Sequence, residues 1–139
     1  MARDLFHKTL RDALEKDGWT ITHDPFPLFS KSDNMDYEID LGAERILAAE
    51  RGAEKIAVEI KSFLKPSLSN EFHTIFGQYL VYCEGLKYLD PERVLYLAIP
   101  SFADVRLADY PFMLHLIAEY KIKIIVFNEI NSTVLAWKN

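Results

Sequence analysis

Residues 57–61 read Ala57-Val58-Glu59-Ile60-Lys61, and this stretch decides the fold. Together with Ile56, the apolar residues Val58 and Ile60 alternate along one face, as in a strand with one buried side. Glu59 and Lys61 are two residues apart and therefore share the opposite face. Charges in so apolar a run are costly unless they pair or bind a metal. The stretch predicts a buried strand carrying a functional pair; the alternative is an ordinary Glu/Lys pair on an exposed sheet.

A second acid, Asp40, lies near the end of another strand-like run, residues 37–41. An Asp on one strand with Glu-x-Lys on the next is typical of a metal-dependent nuclease core. If the strands are neighbours, Asp40 and Glu59 supply carboxylates to one Mg²⁺ (or Mn²⁺), with the backbone carbonyl of Ile60 as a third ligand. Such a metal lowers the pKa of a bound water, and Lys61 could hold or deprotonate that water.

Four further residues are candidates for supporting roles. Gln78 lies on a predicted helix and could orient Lys61 or a water, or be a solvated helix-edge amide. His7 flanks the apolar face of the first predicted helix and could act as a ligand or proton carrier. Glu38 shares the strand face of Asp40 and is either a further acid or an edge residue. Lys65 could contact phosphate, although solvation is the default for such a side chain.

Composition limits the class of protein. The chain has 139 residues, half of them hydrophobic, which suits one globular domain spanning 1–139. Its 16 basic and 21 acidic residues give a net charge of −5, which argues against strong nonspecific DNA binding by this chain alone. Cys83 is the only cysteine, and its apolar setting favours an inert buried thiol. Neither a signal peptide nor a membrane span is recognisable, so we expect a cytoplasmic protein without membrane partners.

Hydrophobic periodicity predicts the order α-β-β-β-α-β-α-β-β. Residues 42–50 fit either a strand extension or a helical turn, and we favour a strand leading through a hairpin into the next one. This order predicts a mixed sheet with helices on both faces. The predicted helices span 4–16, 70–86 and 112–120, and the predicted strands span 19–23, 37–41 with its extension, 55–63, 94–99, 123–127 and 133–137.

The arrangement Asp40…Glu59-Ile60-Lys61…Gln78 resembles the PD-(D/E)XK nuclease superfamily. Longer strings, covering essentially the whole chain, resemble the XisH family. They are Asp4-Leu5-Phe6-His7, residues 16–25 (KDGWTITHDP), Ile39-Asp40-Leu41-Gly42-Ala43-Glu44, Ile56-Ala57-Val58-Glu59-Ile60-Lys61-Ser62-Phe63 and Val94-Leu95-Tyr96-Leu97-Ala98-Ile99-Pro100.

The resemblance implies an α/β, restriction-endonuclease-like fold, an αβββαβ core with extra C-terminal α and β elements. It implies a cyanobacterial controlling factor for excision of the fdxN element during heterocyst differentiation. The implied partners are DNA, a site-specific recombinase and an XisI-like companion; the oligomeric state stays open, a homodimer included. By position, Asp40 and Glu59 match the superfamily's metal ligands, Lys61 its catalytic lysine and Gln78 its helix glutamine.

Two positions depart from the superfamily pattern. Ile39 replaces the proline of the motif. His7 stands where related resolvase-like nucleases carry an acid on the first helix, and Asp4 or Glu15 is the nearby substitute. We therefore expect one of two functions. The chain is either an enzyme that cleaves DNA, or a nuclease-fold module that recruits or regulates a recombinase and in which Asp40, Glu59 and Lys61 are catalytically inactive.

Overall fold

The structure is a computed structural model that describes residues 6–28, 38–39, 41–46 and 53–139, with backbone alone at 38–39, 41–46 and 53. These residues contain four helices and eight strands. The helices are α1 (His7–Lys16), α2 (Leu68–Leu89), α3 (Ser101–Leu107) and α4 (Pro111–Glu119). The strands are β1 (Thr20–His23), β2 (Phe26–Pro27), β3 (Glu38–Ile39), β4 (Leu41–Ile46), β5 (Ala53–Ile60), β6 (Arg93–Pro100), β7 (Ile124–Asn128) and β8 (Thr133–Lys138).

Six of the eight described strands form a mixed sheet in the order β1-β4-β5-β6-β7-β8. Strands β5, β6 and β7 are parallel, whereas β1, β4 and β8 join antiparallel. The parallel pairs require crossovers, which α2 supplies between β5 and β6, and α3 with α4 supply between β6 and β7. The predicted mixed α/β architecture is therefore confirmed.

The two faces of the sheet are covered by different helices. Ile56, Val58 and Ile60 are at most 4% exposed and pack in one cluster with Leu10 and Leu14 of α1. Ala57, on the alternate face of β5, packs instead in a second cluster with residues of α2, α3 and α4. The predicted alternation of β5 is confirmed, and it assigns the face of Glu59 to the side covered by α2.

The predicted strand 37–41 is wrong in one respect, because it contributes to two sheets. Glu38–Ile39 pairs with Phe26–Pro27 in a separate two-stranded sheet, and β4 begins at Leu41. Residues 42–46 extend β4 and pair antiparallel with β5, as the hairpin prediction required. Tyr37, Asp40 and residues 47–52 lie outside the described residues.

Two other boundaries differ from the predictions. Strand β5 ends at Ile60, not at residue 63, and Phe63 cannot belong to a strand because its φ of 55° lies in the left-handed region. Helix α3 was not predicted; it begins directly after Pro100, the last residue of β6, so the apolar run and the proline obscured it. No helix within the described ranges is long and apolar enough to span a bilayer.

Candidate functional site

Glu59 and Lys61 form an ion pair where β5 ends. The ammonium of Lys61 lies 3.5 Å from Oε1 of Glu59, and the two side chains are 24% and 12% exposed. The backbone N–H of Lys61 donates to the carbonyl of Ala98, so pairing with β6 continues past the last strand residue. Both side chains therefore project from the sheet towards the α2 side, as the period-two alternation predicted.

An open cavity of about 490 Å³ adjoins Lys61. It lies between the end of β5, the loop that follows and the first turns of α2. Its polar lining combines two ammonium groups, one carboxylate and neutral side chains; the lining includes Lys61, Lys65, Ser67, Asn70, Glu71 and Thr74. Lys65 is exposed at its edge, and the Ser67 hydroxyl caps α2 by accepting the N–H of Asn70 at 3.4 Å.

Arg106 on α3 holds the loop that borders this cavity. Its guanidinium donates to the backbone carbonyls of Phe63 at 2.6 Å, Lys65 at 3.1 Å and Pro66 at 3.0 Å. These donations tie the loop to a helix on the same side of the sheet. The sequence provided no signal for Arg106, because its helix was not recognised.

Two buried oxygen atoms on α2 lack a hydrogen-bond partner among the described residues. They are Oε1 of Glu71 and Oε1 of Gln78. The two residues are seven apart, two helical turns, and so lie on nearly the same helix face. A buried polar atom without a partner is costly, which is why such atoms often mark a place for a water or an ion. Glu71 was not among the residues that the sequence analysis singled out.

The remaining predicted site residues are less fully described. Asp40 lies outside the described residues, and of Glu38 only the backbone is described, in β3. Leu41, which follows Asp40 in the sequence, pairs with Val58, the residue before Glu59. Ile60 is the last residue of β5 and is 1% exposed.

His7 lies in a different environment from Glu59. Its Nε2 is 2.8 Å from Oδ2 of Asp24, and Arg11 donates to the same carboxylate oxygen at 2.8 Å. Both residues belong to α1, which packs against the other face of β5. The structure thus places His7 beside Asp24. The role of His7 as a metal ligand or proton carrier stays a prediction.

A metal site cannot be assembled from the described side chains alone. They contain no group of three His, Cys, Asp or Glu residues suited to hold a metal ion. The oxygen donors that are described in this region, Glu59 and Glu71, are of the kind that Mg²⁺ prefers. Cys83 is no alternative centre, because burial raises the pKa of its thiol.

Comparisons with known proteins identify the family. The chain matches the XisH protein family over residues 1–135. The search of curated proteins gave no significant match. A crystal structure of an XisH family protein from Nostoc punctiforme is 39% identical, covers 98% of this chain and 100% of its own, and has a TM-score of 0.85.

A second crystal structure is of an fdxN element excision controlling factor protein from Anabaena variabilis. It is 38% identical, covers 99% of this chain and 100% of its own, and also has a TM-score of 0.85. The family match and both crystal structures cover nearly the whole chain. They agree with the resemblance seen in the sequence. The chain belongs to the XisH family.

Proposed function

We propose that this chain is a DNA-associated factor in the excision of a programmed DNA element, acting as a metal-dependent endonuclease of the restriction-endonuclease-like, PD-(D/E)XK type. One observation carries the proposal. A Glu59–Lys61 pair is held largely out of solvent at the end of a central strand, beside a cavity into which α2 brings Glu71. The excision-factor name of the Anabaena variabilis relative supports the biological context.

The donor chemistry fits a divalent cation. Mg²⁺ (or Mn²⁺) takes oxygen ligands, which Asp40, Glu59 and the Ile60 carbonyl would provide. The pairing of Leu41 with Val58 supports this set, because it brings β4 to β5 within one residue of Glu59. When bound, the cation supplies a water of lowered pKa and neutralises charge on the phosphate.

The protein side chains have separate roles in this proposal. Lys61 holds the attacking water and, as the neutral amine, takes its proton to become the ammonium, whose position the neighbouring Glu59 carboxylate fixes. Gln78 orients Lys61 or the water through its buried carbonyl oxygen. His7 and Glu38 are auxiliary positions, since His7 is engaged with Asp24 and only the backbone of Glu38 is described.

A second function is favoured by the charge of the chain. A net charge of −5 is unusual for a protein that binds DNA by itself. The alternative is a nuclease-fold module without catalysis that recruits or regulates a recombinase, with a protein partner such as an XisI-like companion supplying the basic surface. In either case we propose a cytoplasmic protein.

The test is cleavage of supercoiled plasmid and of branched DNA junctions with Mg²⁺ or Mn²⁺. We expect Lys61→Met to reduce the cleavage rate by about 100-fold or more, the usual contribution of a positioned acid–base group. Glu59→Gln removes a proposed carboxylate ligand of the cation and should reduce the rate by about as much. The matched control is Lys8→Met, which removes an ammonium 87% exposed on α1 and should cleave like the wild type.

Equal rates for Lys61→Met and wild type would overturn the assigned chemistry. If the wild type cleaves neither substrate with either metal, the endonuclease proposal fails. A stable complex of the chain with a recombinase, unaffected by Lys61→Met, would then support the regulatory module.

A further inference from the structure

A second cavity, of about 470 Å³, lies at the opposite end of β5 on the α1 face of the sheet. The start of β5, the start of β6, the end of β8 and the segment after α1 all contribute to it. Three aromatic side chains, Trp19, Tyr96 and Trp137, line it. Its charged lining consists of Glu54, Glu92 and Lys55. None of these residues belongs to the proposed nuclease site.

The aromatic rings form one connected group. The ring centroids of Trp19 and Trp137 are 5.7 Å apart, and Tyr96 meets Trp137 edge to face at 5.0 Å with an interplanar angle of 86°. Trp19 is 5% exposed, and the hydroxyl of Tyr96 donates to Oδ1 of Asn139 at 2.7 Å. These contacts hold the rings in place, so their arrangement does not depend on a ligand.

The carboxylates make the net charge of this aromatic cavity negative. Glu54 and Glu92 are both exposed, and with Lys55 the charged lining sums to about −1 in a chain whose net charge is −5. Burial raises the pKa of Tyr96, and the negative charge of Glu54 adds to that rise, which is evidence that the carboxylate lies close to the rings. Aromatic faces and carboxylates both attract a cation, and neither attracts a phosphate.

We propose that this cavity binds the guanidinium group of an arginine in a basic segment of a partner protein. A guanidinium is planar, stacks on Trp and Tyr faces and pairs with carboxylates through its fork of N–H donors. The cavity is larger than a single ammonium group needs, and its volume is within the usual range for small-molecule sites. The inference goes beyond the endonuclease proposal and shares no residue with it.

Tryptophan fluorescence is a direct probe, because the chain contains two tryptophans and both line this cavity. The ligand is the tripeptide acetyl-Ala-Arg-Ala-amide, and its citrulline counterpart is the uncharged control of the same shape. We expect saturable fluorescence change with the arginine peptide below about 10 mM, and binding at least about fivefold weaker with citrulline. Free argininamide should bind more weakly than the peptide.

Two double variants test whether the carboxylates of this cavity are responsible for arginine-peptide binding. The double variant Glu54→Gln and Glu92→Gln should weaken arginine-peptide binding by about fivefold, because two solvent-screened carboxylates are lost. The matched control is Glu84→Gln with Glu119→Gln, two exposed acids outside the cavity that should leave binding unchanged. Nε1–H resonances of both tryptophans in NMR spectra will show that all variants remain folded.

The proposal is overturned if no fluorescence change occurs, if citrulline binds as tightly as arginine, or if the Glu54/Glu92 double variant binds like the wild type. If argininamide binds as tightly as the peptide, the site is one for a free guanidinium compound, and the protein partner is ruled out. DNA cleavage should be unaffected by the double variant, which separates this site from the endonuclease proposal.

Discussion

The two ends of β5 carry the same kinds of side chain in different surroundings. At its carboxyl end, Glu59 and Lys61 are 12% and 24% exposed and pair across 3.5 Å. At its amino end, Glu54 is exposed beside a cavity lined with aromatic rings. One end holds a charge pair away from water, and the other presents charge to it.

The difference shows how burial, more than residue type, sets what a charged pair can do. A pair withdrawn from water feels a stronger mutual field and can hold a reacting group in position. Exposed carboxylates are screened, so they attract a partner weakly and gain selectivity only through the aromatic rings beside them. We therefore expect substitutions at the carboxyl end to have larger effects than matched ones at the amino end.

The largest difference in stability should come from the apolar residues at the two ends. Ile60→Ala removes a side chain that is 1% exposed and should lower the free energy of unfolding by about 3 kcal/mol. Val94→Ala, in β6 beside the amino end of β5, removes a side chain that is 38% exposed and should cost less than about 1 kcal/mol. Urea denaturation measures both; equal costs would mean that the two ends are equally packed.

Removing an ammonium at each end sharpens the electrostatic contrast. Lys61→Met should destabilise the fold by about 1–2 kcal/mol, because it leaves the Glu59 carboxylate largely withdrawn from water without the nearby cation. Lys55→Met, beside the open cavity, should change stability by no more than about 0.5 kcal/mol. Urea denaturation at low and high salt tests this, and a larger cost for Lys55→Met would contradict it.

A third carboxylate, Glu129, should have a smaller effect on stability, and that effect should depend on pH. Burial acts to raise the pKa of Glu129, but hydrogen bonds from the Ser101 hydroxyl at 2.6 Å and its backbone N–H at 3.2 Å help hold that pKa below 4.5. A lowered pKa adds stability at pH values above 4.5, and this is lost as the pH falls through the folded-state value.

Ser101→Ala removes the hydroxyl donor to Glu129. It should therefore cost about 1 kcal/mol or less at pH 7, with the difference from wild type shrinking below pH 4.5. Thermal unfolding at pH 7 and in acid measures the change. A penalty independent of pH would mean that Ser101 acts by another contact.

Much of the fold could be predicted because the patterns are local. The period-two alternation at 56–61 and the period-3.6 pattern of α2 are read from neighbouring residues, and both elements are confirmed. Helix α3 was missed because its seven residues are too short for a clear period and follow Pro100. The 37–41 run was assigned to one strand because pairing with Phe26–Pro27 depends on a distant segment.

The candidate site was predicted only as a list of residue types. The same-face position of Glu59 and Lys61 followed from strand geometry. The distance between their charged groups and their exposure depend on packing on the α2 side of the sheet, which the sequence does not show. Glu71 became a candidate through the cavity that it shares with Lys61, and Arg106 through the carbonyls that it contacts across the fold. Such contacts join residues with no shared sequence pattern.

The sequence by itself determined the family, the mixed α/β class and the face of β5 on which its charges lie, because periodicity and family strings are properties of adjacent residues. The tertiary structure alone decided which charges are withdrawn from water and which remain exposed. It also brought Trp19 and Trp137, near opposite ends of the chain, within 5.7 Å of each other. Burial and cavity shape arise from packing between distant segments, so no local pattern encodes them.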